Sequence, residues 1–255
     1  FEPFYSYRIE TTTTSSEALQ VTKEVAILHL IKEHDGPTEI GSLYLASDYR
    51  GAGNGRLLSL SRFLFIASFP DRFDSEVIAE MRGVVDEQGK SPFWEAIGRH
   101  FCDVEFPKAE TMTTVSKNFI ADLMPKHPIY VTLLPEAAQQ TIGKVHPQTE
   151  PALALLEKEG FARRGLIDIF DGGPVVHCSR DGIRTVRESR ATTIVAIEES
   201  VAGETRLISN GREAGFRCCL GSVGERGDEG GVIDRVTALS LGIKVGDSIR
   251  HAPLK

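Results

Sequence analysis

The chain has 255 residues, 41% hydrophobic and 25% charged, the balance of an ordinary globular protein with room for one large or two small domains. Its formal net charge is −7 and no Lys/Arg run occurs, so the electrostatic footprint of a nucleic-acid binder is missing, and no apolar run approaches the roughly 18 residues of a membrane span. Four cysteines without ligand spacing, two of them adjacent at Cys218 and Cys219, read as reduced thiols of a cytoplasmic protein and not as a metal site.

Residues 5–9 alternate polar and apolar side chains as a strand does, whereas Thr11 to Ser16 read as a loop or an irregular edge. Residues 25–31 are apolar enough for a second strand, closed by the turn signal His34-Asp35-Gly36-Pro37. A strand is expected at 39–45, then a glycine-rich turn, then a helix at 56–68 with Leu57, Leu60, Leu64 and Ala67 as its apolar stripe. Residues 77–82 form the next expected strand. Ser91 followed by Pro92 marks a helix start, and helices are expected at 136–142 and 150–159, the second stopped by Gly160. Alternation of strands and helices predicts an α/β core to about residue 185. Beyond it, short strands at 192–197, 206–208 and 216–220, and a turn entering a strand near 241–250, predict a small β-rich domain, a compact barrel, over 186–255. The division is therefore 1–185 and 186–255.

The turn Arg50-Gly51-Ala52-Gly53-Asn54-Gly55-Arg56 carries the clearest chemistry. Glycines where a strand hands over to a helix let backbone N–H groups close around a phosphate, and the positive helix end adds attraction. No Gly-Lys-Ser/Thr closes the turn, so it is not a Walker loop, and its glycine spacing is not that of a dinucleotide fold. R-x-x-G-x-G after a strand resembles the coenzyme A loop of the GNAT acyltransferase superfamily.

Further blocks follow in one order: Ala79-Glu80-Met81-Arg82-Gly83, Ser91-Pro92-Phe93-Trp94-Glu95, Met124 to Tyr130, Val145-His146-Pro147-Gln148-Thr149, Glu159-Gly160-Phe161 and Asp168 to Pro174. Together they closely resemble the arginine N-succinyltransferase family, from about residue 4 to 180 and more weakly to the end. The resemblance implies a GNAT-like mixed sheet flanked by helices, an α+β fold. It also implies transfer of succinyl from succinyl-CoA, a cosubstrate and not a resident cofactor, to the α-amino group of L-arginine. Full-length members carry a further N-terminal segment, so Phe1 is expected to fall mid-domain, leaving a sheet edge for a complementing segment or a homo- or hetero-oligomeric partner. The alternatives are an acyltransferase for another basic amino acid such as ornithine, and a non-catalytic acyl-CoA-binding subunit. Neither a nucleic acid, a membrane nor a metal is expected as partner.

Residue by residue, the resemblance places an acyl-CoA contact at Leu43, with Leu45 beside it on the strand and Arg50, Gly51, Gly53, Gly55 and Arg56 around the diphosphate. Core packing is the other reading of the two leucines. His146 takes the family's general-acid position; on its residues alone it reads more readily as a capping or core histidine. Many GNAT enzymes place a tyrosine where Leu156 stands, and its absence here is consistent with His146 in the acid role. For substrate charges, Arg82 suits the succinyl carboxylate, Lys126 and His127 form a second cationic pair for it, and Glu80, Asp86, Glu87 or Glu95 suits the guanidinium. Each of these is also readable as an ordinary surface charge.

Overall fold

A computed structural model of the chain describes residues 4–34, 36–113 and 115–254. Phe1 and Asp35, used in the expectations above, lie outside the described residues. In chain order the strands are β1 (Phe4–Ser16), β2 (Val21–His34), β3 (Thr38–Glu39), β4 (Glu76–Glu80), β5 (Ile129–Tyr130), β6 (Ala162–Ile167) and β7 (Pro174–Ser179). After these come β8 (Arg190–Glu198), β9 (Thr205–Ser209), β10 (Cys218–Glu225), β11 (Gly231–Asp234) and β12 (Ser248–Pro253). The helices are α1 (Asn54–Ser68), α2 (Pro92–Ala96), α3 (Gly98–Cys102), α4 (Phe106–Met112), α5 (Asn118–Leu123), α6 (Glu136–Thr141), α7 (Glu150–Lys158), α8 (Arg184–Glu188) and α9 (Arg235–Leu241). Packing sorts the chain into two units, one of residues 1–41, 76–157 and 161–177, the other of residues 42–75, 158–160 and 178–255.

The first unit holds a mixed sheet of seven strands among the described residues, in the order β3-β4-β7-β6-β1-β2-β5. Thr11 to Ser16, expected as a loop, instead continue β1 and pair with Val21 to Ala26 in a long antiparallel hairpin. β-branched threonines fit a pleated strand whatever their polarity, and pairing with β2 satisfies their backbone. The end strands β3 and β5 have two residues each, and β5 pairs only with Ile27 and Leu28 of the long strand β2. One face of the sheet packs on Phe93, Trp94, Ile97, Phe106, Ile120 and Met124, which the short helices supply. Ser91 caps α2 as expected, its hydroxyl accepting the Trp94 N–H at 3.0 Å. The Trp94 indole stacks on Phe170, with ring centroids 5.4 Å apart, and donates to the Val104 carbonyl at 2.9 Å.

The second unit is a closed barrel, β10-β11-β8-β12-β9, around Ile194, Ile208, Ile233, Leu241 and Ile249. The expected compact barrel is therefore present, with β8 starting at Arg190 and β10 running on to Glu225. Helix α1 packs on β9, β10, β12 and α8. Residues 42–75 thus group with the barrel, and division by packing is interleaved where division by sequence put one cut after residue 185. Asp234 caps α9, accepting the Thr237 N–H at 2.8 Å, and Gly242 ends it in the left-handed region.

Candidate active site

In the first unit the site residues gather where β4 runs out. Buried Ala79 and Met81 alternate with exposed Glu80 and Arg82, so the two charged side chains leave one face of the strand and the apolar pair enters the core. Beyond β4, Gly83 forms a bridge with Val145, and the His146 N–H donates to the Arg82 carbonyl at 2.8 Å. The strand end therefore positions His146 directly beside Arg82.

The loop 168–173 locks this junction. Asp171, 6% exposed, accepts the Gly83 N–H at 2.6 Å through one carboxylate oxygen and the Gly173 N–H at 2.8 Å through the other. Asp168 accepts from the Phe170 and Asp171 N–H groups at 2.7 and 2.8 Å. The approach is too close for side chains: a Cβ on Gly173 would stand 2.1 Å from the Met81 carbonyl oxygen, and one on Gly83 2.5 Å from that of Asp171.

Charges converge here. Burial and the Glu39 carboxylate push the Glu80 carboxyl up to about 7, against the opposing pull of Lys117 and a hydrogen bond with Asp168. The Glu80 side chain is exposed at the surface. Burial and the neighbouring Asp171 and Glu80 raise Asp168 well above the usual carboxylate range. Asp171 is raised by burial, with its backbone hydrogen bonds and Arg82 opposing, and Glu110 is raised by burial with Asp171 adding to it. Carboxyl groups outnumber the cations Arg82 and Lys117 in this cluster, and a cationic guest would favour their ionised forms.

His146 is half-buried and begins a short 3₁₀ turn, with its Nδ1 accepting the Gln148 N–H at 3.2 Å. With Nδ1 engaged by the Gln148 N–H, Nε2 is the ring nitrogen left for a substrate.

The phosphate-loop residues belong to the second unit. The strand expected at 39–45 is only Thr38–Glu39, extended by one hydrogen bond from the Ile40 N–H to the Ile78 carbonyl at 2.9 Å. Ser42, at φ +51°, turns the chain into the left-handed region and ends the strand. Leu43 is 43% exposed and Tyr44 76%, so the core-packing reading of Leu43 does not hold; Leu45 is half-buried. Gly51, Ala52 and Gly53 all have positive φ, and α1 begins at Asn54, two residues before the expected start. No side chain caps α1, and Gly55 and Arg56 donate their N–H groups to no acceptor among the described residues. Arg50 turns its Nε to the Leu45 carbonyl at 3.1 Å, and Arg56 donates to the Leu254 carbonyl, which follows β12.

Glu80, Arg82 and His146 are thus brought together. Lys126 and His127 are exposed at the start of β5, at the other end of the strand order from β4, and line a groove of about 610 Å³ with Phe101 and Leu133. Asp86 makes its own turn, accepting from the Gln88 and Lys90 N–H groups at 2.9 and 2.8 Å. Sequence reasoning about charges missed Asp168, Asp171, Glu110 and Lys117. The run Asp168-x-x-Asp171-Gly-Gly carried a usable signal, because aspartates beside glycines bind their own backbone in turns. Among the described residues no group of three or more His, Cys, Asp or Glu side chains can hold a metal, and the four cysteines are thiols, not disulfides.

The family model described as arginine N-succinyltransferase beta subunit matches residues 1–185, and the model of its C-terminal domain matches residues 187–253. The chain belongs to the arginine N-succinyltransferase family. An arginine N-succinyltransferase of Yersinia pestis (strain Pestoides F) is 45% identical over 261 residues, which cover 99% of this chain and 74% of the relative. The arginine N-succinyltransferase subunit beta of Pseudomonas aeruginosa is 44% identical over 255 residues, with 99% and 74% covered. Among solved structures, the arginine/ornithine succinyltransferase subunit AI from Pseudomonas aeruginosa superposes with a TM-score of 0.84 at 35% identity, covering all of this chain and 74% of that one. Family membership makes this chain an acyltransferase and carries the GNAT-like fold expected from the sequence.

Proposed function

We propose that this protein transfers succinyl from succinyl-CoA to the α-amino group of L-arginine. The observation that carries the reading is the junction of Glu80, Arg82 and His146, pinned by Asp171, in a chain of this family. The amine lone pair attacks the thioester carbonyl, the amine nitrogen gives up a proton, the C–S bond of the tetrahedral intermediate breaks, and the leaving sulfur takes a proton. His146 relays that proton, its ring taking it from the amine nitrogen and delivering it to the sulfur, and so returns to its starting form. The acidic cluster at Glu80 holds the cationic acceptor, and Arg82 pairs with the succinyl carboxylate. Lys126 and His127 are assigned no part, since they stand at the other end of the sheet order.

For CoA, the Gly51–Gly53 turn and the uncapped N–H groups of Gly55 and Arg56 take the diphosphate, with Arg50 and Arg56 flanking it. Exposed backbone at Leu43 and Leu45 pairs with the pantetheine amides. The solved relative is an arginine/ornithine succinyltransferase subunit, and an acidic cluster accepts either side chain, so ornithine is the second acceptor to assay. The matching subunit names support assembly with a further subunit, and the cysteine thiols support a cytoplasmic setting.

Thiol release from succinyl-CoA with L-arginine tests the reaction. His146→Ala should lower kcat by roughly 10²-fold or more while CoA still binds, the usual scale of acid–base catalysis. No arginine-dependent thiol release by the intact assembly would refute the activity, and an unchanged kcat would refute the role of His146.

A further inference from the structure

A cavity of about 460 Å³ opens beside the first two turns of α1, entirely within the second unit. Its wall includes Tyr49, Asn54, Leu57, Leu58 and Ser61 from the loop and helix, and Phe216 from the segment leading into β10. Its volume falls within the roughly 300–1,000 Å³ of small-molecule sites, and its lining has their character, apolar walls with a few fixed polar atoms. We infer that this cavity seats the adenine base of the acyl-CoA, so that the barrel unit, through Phe216, completes the coenzyme site. The inference rests on the succinyl-CoA reading above.

The wall is built for a flat, apolar-faced ring with polar edges. Phe216 is held edge-on by Phe65 of α1, with centroids 5.1 Å apart and planes at 89°, so its ring is fixed before any ligand arrives. Tyr49 is 67% exposed, and its backbone is tied down by Asn54, whose side-chain amide donates to the Tyr49 carbonyl at 2.9 Å. That bond uses the amide nitrogen of Asn54 and leaves its carbonyl oxygen to accept from an exocyclic amine. The Ser61 hydroxyl donates to the Leu58 carbonyl at 2.9 Å and likewise keeps its acceptor lone pairs.

Position favours the same occupant. Asn54 is the first residue of α1, immediately after the turn assigned to the diphosphate, and Ser61 lies seven residues on, about 10 Å along the helix. A nucleoside attached to a diphosphate at that turn reaches such a cavity, whereas an unattached apolar ligand has no reason to be there.

The test compares two thioesters, succinyl-CoA and S-succinyl-pantetheine, which lacks the adenosine diphosphate portion. Tyr49→Ala and Phe216→Ala should each raise KM for succinyl-CoA about tenfold or more, the order expected for losing one base–aromatic contact, and raise KM for succinyl-pantetheine far less. Tyr49 is exposed, so its variant reads the site even where Phe216→Ala fails to fold. Calorimetry with adenosine 3′,5′-bisphosphate provides an arm independent of turnover: the unsubstituted protein should bind it and the Tyr49→Ala protein should bind it about tenfold more weakly. Equal effects on the two thioesters, or no effect of either substitution on the bisphosphate, would overturn the assignment. If the bisphosphate binds and the variants weaken it while arginine is not succinylated, the cavity assignment stands and the proposed reaction falls.

Discussion

Asp171→Ala should unfold the first unit at markedly lower denaturant. The carboxylate is the acceptor for two backbone N–H groups, those of Gly83 and Gly173, at 2.6 and 2.8 Å in a site where Asp171 is 6% exposed. A buried donor left without a partner costs about 1–3 kcal/mol, so stranding two costs about 2–6 kcal/mol. The burial that raises the Asp171 carboxyl is a burden the variant sheds, which places the expectation in the lower half of that range. Asp171→Asn keeps the shape and one acceptor oxygen, so about 1–2 kcal/mol should be lost. Urea unfolding followed by tryptophan fluorescence reads the effect directly, because Trp94 is the single tryptophan and stacks on Phe170, the neighbour of Asp171. The same variants should lose turnover, since the His146 N–H hangs from the Arg82 carbonyl next to Gly83. A stability change below about 0.5 kcal/mol for Asp171→Ala would refute the view that this carboxylate organises the junction.

Two further outcomes concern pH. With Glu80 pushed up to about 7, its carboxyl gains charge as pH rises through that value while the guanidinium stays cationic, so KM for arginine should fall between pH 6 and 8. Glu80→Gln should raise KM and flatten that profile; a wild-type KM independent of pH would argue against Glu80 as the cation's partner. In the barrel, burial and then Arg206 push His251 down to about 4, and the neutral ring meets the Arg206 guanidinium at Nδ1 and the Thr192 hydroxyl at Nε2. Its folded pKa lies below the unfolded value near 6.5, so the stability it contributes is complete above pH 6.5 and is lost as pH falls toward 4. The loss is at most about 3 kcal/mol, less in so far as water screens the arginines. Thermal unfolding at pH 7 and pH 4.5 should show a larger acid shift for the wild type than for His251→Gln, and equal shifts would remove His251 from the account.

Local signals in the sequence were read correctly where the structure is local. Ser91 and Gly160 start and stop helices through bonds and dihedrals that their own neighbours determine, and the short alternating segments after residue 186 close into a barrel. The errors arise where partners are distant. Thr11 to Ser16 carry no apolar period, and only pairing with β2 makes them a strand. Residues 40–45 look like a continuing strand until Ser42 takes a positive φ, which no composition rule anticipates for serine. The apolar stripe of α1 was legible; that it packs on barrel strands from the far end of the chain was not.

The same division explains the candidate site. The glycine turn is contiguous in sequence, so its seven residues stand out together, whereas the junction at Glu80 draws on segments near residues 39, 80, 110, 145 and 170. Alone, Arg82 resembles an ordinary surface charge and His146 a capping or core histidine, and what distinguishes them is a backbone hydrogen bond between strand and loop that sequence spacing does not encode. Asp171 fixes that bond through Gly83, and replacing either Gly83 or Gly173 would place a Cβ within 2.5 Å of a carbonyl oxygen. The small residues around the site are therefore as much a part of it as the charged ones, because only glycine lets the loop approach closely enough for one carboxylate to hold both strands of the junction.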